Sequence, residues 1–411
     1  MRILDTQSVR RLLARRRARM AEAEAVVRPL LEAVRRRGDR AVLDYSRRFD
    51  GFAGKSVRVP RKDLDDAAHG LSREFCSALK TAARNIRAFA EQQMPKEWMR
   101  ELQPGLCGGQ IVRPLDTVAA YIPAGRYPLP STLMMTVIPA QVAGVRNICV
   151  ACPKPVAEVY GVAAMLGVDQ VFQMGGAQAI AAFAFGTRTV PRADRIVGPG
   201  NVYVAAAKKL LAGEIGIDFV AGPTEILIVA ATGNPSHIAA DLLAQAEHDV
   251  DASAILLTTS KRLAEAVSGE VDRQLATLPT AAIARKSIAR NSGIVMVRSL
   301  ADGIDVANRF APEHLSIPDH TQLHRVRHAG SVFIGPYSPE AAGDYAAGPN
   351  HVLPTSGAAR IRGGLAAADF VKLISIQELS PVALSQLAPV ITTLARAEGL
   401  EAHARSVEVR L

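Results

Sequence analysis

Several short stretches carry side chains that could do chemistry. In "LLAQAEHD", residues 242 to 249, Gln245 and His248 stand three apart, a spacing that puts both on one face of a helix. "RFAPEHLSI" sets Glu313 beside His314 where a loop enters a strand, and neighbouring side chains there diverge to opposite sides. "SPEAAGDYAAGPNHVLPT" holds Asp344 and His351 in a loop whose glycines allow close backbone approach. "RAEGLEAHARSV" places Glu398 and His403 close to the end of the sequence. The imidazoles of His248 and His403, the carboxylate of Asp344 and the carbonyl oxygen of Gln245 make a mixed nitrogen and oxygen donor set without thiolate. Such a set suits Zn²⁺ with open positions, or Mn²⁺ or Co²⁺ in its place. Glu313 next to His314 supplies the groups that general acid–base work uses. None of these spacings is a compact metal signature such as HExxH, and a capped, satisfied helix end would also account for Gln245 and His248. His69, His320, His324 and His328 lie in charged helical contexts and read as surface groups.

Groups so far apart in the chain need a scaffold to bring them together. From about residue 117 the sequence alternates between short β-branched runs ("TVAAYIPA", "NICVAC", "QVFQMGG") and helical stretches ("TLMMTVIPAQVAG", "AEVYGVAAMLG", "AQAIAAFAFG"). This alternation is the mark of βαβ units and a parallel, doubly wound sheet. A second alternating set starts at "TEILIVAA", passes through a helix opened by Asn234 and Pro235, and continues over "SAILLTT", "GIVMV", "LADGIDVANRF" and "SVFIG". The expected class is therefore α/β, with two doubly wound, incomplete Rossmann-like lobes and helical extensions at both ends. Residues 1–25 read as an N-terminal helical arm. Residues 26–116 together with 225–364 read as a first lobe carrying most metal and acid–base residues, and 117–224 as a second lobe. Residues 365–411 read as a helical tail closed by a short strand, "SVEVRL". Open parallel sheets bind ligands at the carboxyl ends of their strands, which marks "YIPAGRYP", "MGGAQA", "VGPGNVY", "AGPTE" and the loop holding Asp344 in advance. No GxGxxG follows a strand, so the usual dinucleotide fingerprint is missing.

Composition narrows the class further. The chain has 411 residues, 49% of them apolar, as in an α/β enzyme rather than a disordered or fibrous protein. Its formal charge of +10 and Arg-rich start raise nucleic acid as a partner, but no aromatic residues interleave the basic ones, which fits a solvated helix instead. No apolar run reaches the ~18 residues that span a bilayer, and the start resembles no secretory signal. The expected setting is cytoplasmic, with no nucleic acid and no membrane. Cysteines are few, which fits a reducing compartment. Cys149 and Cys152 form a CxxC inside a buried strand, where positions three apart face opposite sides, against a redox or zinc role.

In their order along the chain, "YIPAGRYPLPSTLMMTVIPAQVAGV", "GGAQAIAAFAFGT", "IVGPGNVYVAAAKK", "AGPTEILIVA", "DLLAQAEHD", "APEHLSI", "GDYAAGPNHVLPT" and "EGLEAH" resemble the histidinol dehydrogenase family over almost the whole length. The resemblance implies zinc-containing, NAD-dependent oxidation of L-histidinol to L-histidine through L-histidinal, in a homodimer whose tails are exchanged. It implies Gln245, His248, Asp344 and His403 as zinc ligands, with His403 and Glu398 serving the partner's site. It further implies His314 as acceptor of the alcohol proton and Glu313 as activator of water. Thr224, commonly Ser in the family, His351 and Glu398 fall on substrate-binding positions, which also include Gln245, His248, His314, Asp344 and His403. Tyr121, Gln178 and Asn201 fall on positions that hold NAD⁺. Two departures stand out. Arg126 and Tyr127 replace small residues, and "ARIRGGLAAADF" lacks serines common there; both features resemble relatives that oxidise other small alcohols such as sulfonated diols. The presence of Glu398 and His403 favours histidinol.

Overall fold

The structure, a computed structural model, describes the backbone of residues 1–4, 6–124, 128–154 and 156–411, and their side chains except those of residues 4–19. Arg126 and Tyr127 lie outside the described residues. Two parallel sheets dominate. One has five strands in the order 170–172, 147–151, 117–121, 195–197, 216–217, and every neighbouring pair is parallel. The other has six, in the order 3–4, 293–296, 253–258, 225–230, 314–317, 331–334, again all parallel. Each sheet is wound outward in both directions from an inner strand, Thr117–Tyr121 in one and Glu225–Ala230 in the other.

Both faces of each sheet are covered, so the strands carry continuous apolar runs rather than alternating ones. In the five-stranded sheet, Ala119, Tyr121, Cys149 and Phe172 enter one core and Val118, Ala120, Ile122, Val150 and Cys152 enter the other. Cys149 and Cys152 thus face opposite sides, as expected, and burial pushes their thiols up to about 12 and about 11. In the six-stranded sheet all six residues of Glu225–Ala230 and of Ser253–Thr258 are buried. Each fully buried Ile or Leu there contributes about 1.5–3 kcal/mol. The helix Pro235–Ala246 starts as its sequence requires: the Asn234 side chain accepts from Ser236 N, and Pro235 occupies the first turn.

The expected division of the chain needs correction. Residues 26–116 do not join the lobe built from 225–334. Val27, Leu31, Val34, Val42 and Phe52 pack on one face of the five-stranded sheet, and Leu64, Leu79 and Ile86 pack on the other. The short crossover helices of that sheet, such as Ala157–Met165 and Gly176–Phe185, leave apolar strand surface that these N-terminal helices cover. The arm is likewise integrated: Ile3–Leu4 pairs with Ile294–Val295 at the edge of the six-stranded sheet, while the helix Thr6–Arg37 runs to the other lobe. Residues 98–103 and 106–114 form an antiparallel sheet with Val371–Leu379. The tail therefore begins with a strand and ends in the helices Pro381–Ala397 and Glu401–Glu408; "SVEVRL" ends a helix and is not a strand. Among the described residues no helix is long and apolar enough to cross a membrane.

Candidate active site

The site grows from one strand pairing. Glu225–Ala230 and His314–Ile317 run side by side with His314 opposite Ile226, which brings Thr224 and Glu225 against Glu313 and His314. Glu313 Oε2 accepts from the Thr224 hydroxyl at 2.5 Å and from Glu225 N at 2.9 Å. Burial raises the Glu313 carboxyl, with these hydrogen bonds and His314 opposing it. Thr224 Oγ1 in turn accepts from Gln245 Nε2 at 2.5 Å, so one hydroxyl links the end of the helix Pro235–Ala246 to the acid.

His314 does not diverge from Glu313 as adjacent residues entering a strand are expected to: its Nδ1 lies 3.7 Å from Glu313 Oε2. Its Nδ1 lies 3.2 Å from the carbonyl oxygen of Glu225. A carbonyl can only accept, so Nδ1 carries a proton. Its Nε2 is buried without a hydrogen-bond partner and lies 3.6 Å from Asp344 Oδ1. Burial alone would lower the His314 pKa, but the carboxylates of Glu313, Asp344 and Glu340 outweigh it and push it up to about 10. Asp344 is held below the usual carboxylate range, since the nearby His314, His351 and His248 overcome its burial. His351 bonds the Asp344 carbonyl through Nδ1 at 2.8 Å, and burial lowers its pKa.

Thr224, His248, Glu313, His314, Asp344 and His351 line one cleft of about 1640 Å³ between the two lobes. The cleft takes carboxyl-end loops from the five-stranded sheet, including Pro123, Asn201 and Gly222. From the six-stranded sheet it takes amino ends, because the chain passes from Gly216–Ile217 through "AGPT" directly into Glu225–Ala230. The carboxyl-end rule therefore holds for one wall of the cleft. Gly198, at φ +109°, makes the close approach that "VGPGN" suggests: a Cβ there would meet Tyr121 O at 2.2 Å.

One orphaned buried oxygen makes this donor set suitable for a cation. Gln245 is 1% exposed, and while Nε2 is fixed on Thr224, its Oε1 is buried with no partner, a costly arrangement unless something meets that oxygen. His248 opens on the cleft just beyond the same helix, its pKa lowered by the protein around it. Gln245, His248 and Asp344 thus fit a metal. Among the described residues, however, no three His, Cys, Asp or Glu side chains gather as a complete site would need. His403 and Glu398 are exposed at the tail and do not line this cleft.

Of the expected cofactor residues, Asn201 lines the cleft and caps the helix Val202–Leu211 by accepting from Tyr203 N and Val204 N. Tyr121 and Gln178 are buried and internally bonded: the Tyr121 hydroxyl accepts from Gly176 N at 3.1 Å, and Gln178 Nε2 donates to Asp50 at 3.1 Å. Neither is among the residues lining the cleft. The sequence reading missed Asp50, Thr132 and Glu340. Glu340 is fully buried with both oxygens unpartnered and its carboxyl raised well above its ordinary value by that burial. Its place four residues before Asp344 on a helical turn was the available signal.

The fold and cleft define a two-lobed α/β enzyme with an acid–base pair at a lobe junction. A family model described as histidinol dehydrogenase matches residues 13–411. A histidinol dehydrogenase of Geobacter sulfurreducens is 46% identical over 411 residues, covering 97% of this chain and 96% of that protein. One from Halalkalibacterium halodurans is 47% identical over 394 residues, covering 94% and 93%. The crystal structure of histidinol dehydrogenase from Elizabethkingia anophelis superposes with a TM-score of 0.91 at 36% identity, covering 94% of this chain and 91% of that one. The chain belongs to the histidinol dehydrogenase family and is an oxidoreductase.

Thr224 supplies the first test. Thr224→Val removes the donor to Glu313 and the acceptor for Gln245, so kcat/KM should fall about 10- to 100-fold, the range for hydrogen bonds to a charged group. Thr224→Ser keeps the hydroxyl and should retain most activity. Steady-state kinetics with folding checked by circular dichroism would show this, and an unimpaired Thr224→Val would remove the hydroxyl from the site's working parts.

Proposed function

We propose that the chain oxidises L-histidinol to L-histidine by way of L-histidinal, giving two hydrides in turn to NAD⁺. The observation that carries this reading is the pair Glu313 and His314 at the cleft, each fixed by a hydrogen bond to the strand beside it. His314 Nδ1 is committed to Glu225, and Nε2 takes the hydroxyl proton as the carbon loses hydride, once a cation's charge in this corner offsets the carboxylates that otherwise raise the ring to about 10. Glu313, raised by burial, takes a proton from water as it adds to the aldehyde, while the protonated His314 returns its proton to the aldehyde oxygen and is again a free base. His314 then removes a hydroxyl proton from the resulting hydrate as the second hydride departs. Gln245, His248 and Asp344, with His403 from a second subunit, would hold Zn²⁺, with Mn²⁺ or Co²⁺ as substitutes. The ion would add positive charge to this carboxylate-rich corner and anchor the substrate's imidazole and amine. Thr224, His351 and the partner's copy of the Glu398 position complete the substrate contacts, and Tyr121, Gln178 and Asn201 serve NAD⁺. A sulfonated diol as substrate rested on Arg126 and Tyr127, and the relatives do not favour it.

A homodimer with exchanged tails is supported by two features of the tail. Glu398 and His403 stand at its surface rather than in the chain's own cleft. Leu373, Ile374, Val382, Val390, Leu394 and Leu400 are exposed on it, and Trp98, Met99 and Leu102 on a strand of the same sheet. Apolar surface of that extent marks a contact site. Four unpaired cysteines suit a cytoplasmic setting.

Purified protein given L-histidinol should reduce about two NAD⁺ per histidine formed, as two hydride transfers require. Exhaustive chelation should stop turnover, and Zn²⁺ or Mn²⁺ should restore it. Reduction of NAD⁺ with dihydroxypropanesulfonate and none with L-histidinol would overturn the substrate. Tail exchange is tested by mixing inactive His314→Ala with inactive His403→Ala. With random pairing half the dimers are mixed and half of their sites are intact, so about a quarter of wild-type activity should return. No recovery, with subunit exchange verified, would put each tail in its own subunit's site.

A further inference from the structure

The segment from Asp344 to Thr355 runs between the lobes, and two hydrogen bonds tie it to the helix Pro130–Val142 of the five-stranded lobe. Asn350 Nδ2 donates to Met135 O at 2.6 Å, and its Oδ1 accepts from Val352 N at 2.9 Å, so its orientation is set at both ends. The second tie is chemically more informative. His351 Nδ1 stands 2.8 Å from the carbonyl oxygen of Asp344, and that oxygen can only accept, so Nδ1 carries a proton. His351 Nε2 stands 3.1 Å from Thr132 Oγ1. Thr132 is 1% exposed, and its hydroxyl makes no other hydrogen bond among the described residues. A buried hydroxyl spends its proton on the acceptor it has, which here is Nε2. The Thr132 hydroxyl, the His351 ring and the Asp344 carbonyl therefore form one directed line across the lobe junction. Its far end is the main chain of Asp344, whose carboxylate stands 3.6 Å from His314 Nε2.

We propose that Thr132 is a positioning residue: its hydroxyl fixes the Nδ1–H tautomer of His351, and through it the main chain at Asp344, so that a helix of the five-stranded lobe sets where this carboxylate stands opposite His314. This rests on the roles given to Asp344 and His314 under the proposed function. Thr132 touches neither the reacting carbon nor the hydride acceptor in this scheme; it acts through His351. Without the hydroxyl, Nε2 loses its donor, the ring is free to exchange tautomers or rotate, and the Asp344 carbonyl loses its fixed partner. The methyl group of Thr132 has no part in the line, so Ser should serve at this position and Val, of nearly equal size, should not.

The test compares Thr132→Val and Thr132→Ser in the full-length protein labelled with ¹⁵N-histidine, the His351 signals being identified by their loss in His351→Asn. Wild-type protein and Thr132→Ser should show the Nδ1–H pattern at His351, and Thr132→Val should show a shifted or mixed pattern. In kinetics with L-histidinol, Thr132→Val should lower kcat about tenfold, the worth of about one hydrogen bond, with KM for NAD⁺ changed less than about twofold. Thr132→Ser should recover both readouts. A folded Thr132→Val that keeps the His351 pattern and wild-type kcat would overturn the proposal, as would a Thr132→Ser no better than Thr132→Val. If wild-type protein did not turn over L-histidinol, the proposed function would fall on its own, while an unmoved His351 pattern in Thr132→Val would still refute this inference.

Discussion

The parallel pairing of Glu225–Ala230 with His314–Ile317 is the constraint from which the site follows. Register fixes which residues stand at the strand mouths, and a slip by one position would turn each side chain to the other face. In the register observed, Glu225 gives its N–H to Glu313 and its carbonyl to His314, so one peptide segment orients both members of the acid–base pair. Thr224, one residue earlier, extends the order to Gln245. Glu225–Ala230 is buried on both faces and His314–Ile317 sends Leu315 and Ile317 into one of those cores, and that packing resists the slip.

The two sheets meet with opposite polarity, and the cleft owes its chemistry to this. Carboxyl-end loops of the five-stranded sheet bring Gly-rich turns and a helix start at Asn201. Amino ends of the six-stranded sheet bring Thr224 and Glu313, and the end of the helix Pro235–Ala246 brings Gln245. Wall and floor thus come from structures with different ordinary roles. The segment from Asp344 to Ser356 is bonded to both lobes, through Asn350 to Met135 of the five-stranded lobe and through Ser356 N to Glu225 Oε1 of the six-stranded one, so lobe placement and site geometry are coupled.

Much of this is legible in the sequence for stated reasons. Apolar runs broken by Gly and Pro report buried strands and turns, and both lobes follow from them, as does the helix opened by Asn234 and Pro235. Gln245, His248, Glu313, His314 and Asp344 stand out because polar side chains at the edge of apolar segments need an explanation, and they do converge. The packing of residues 26–116 is not legible, since an amphipathic helix such as Arg73–Gln92 shows that it has a buried face but not which sheet it covers. "SVEVRL" alternates like a strand, yet no strand partner awaits it and it closes the helix Glu401–Glu408 instead. Thr132 is silent in the sequence, one hydroxyl within an apolar helix, and its tie to His351 depends on two segments 219 positions apart.

The central claim is that His314 serves both oxidations while Glu313 serves only the second, and single-turnover kinetics of Glu313→Gln on each half-reaction tests it most directly. Oxidation of L-histidinal needs an activated water and should slow at least about tenfold more than oxidation of L-histidinol, within the range for loss of a general base. Equal losses in the two half-reactions would contradict the account and reduce Glu313 to a support for His314.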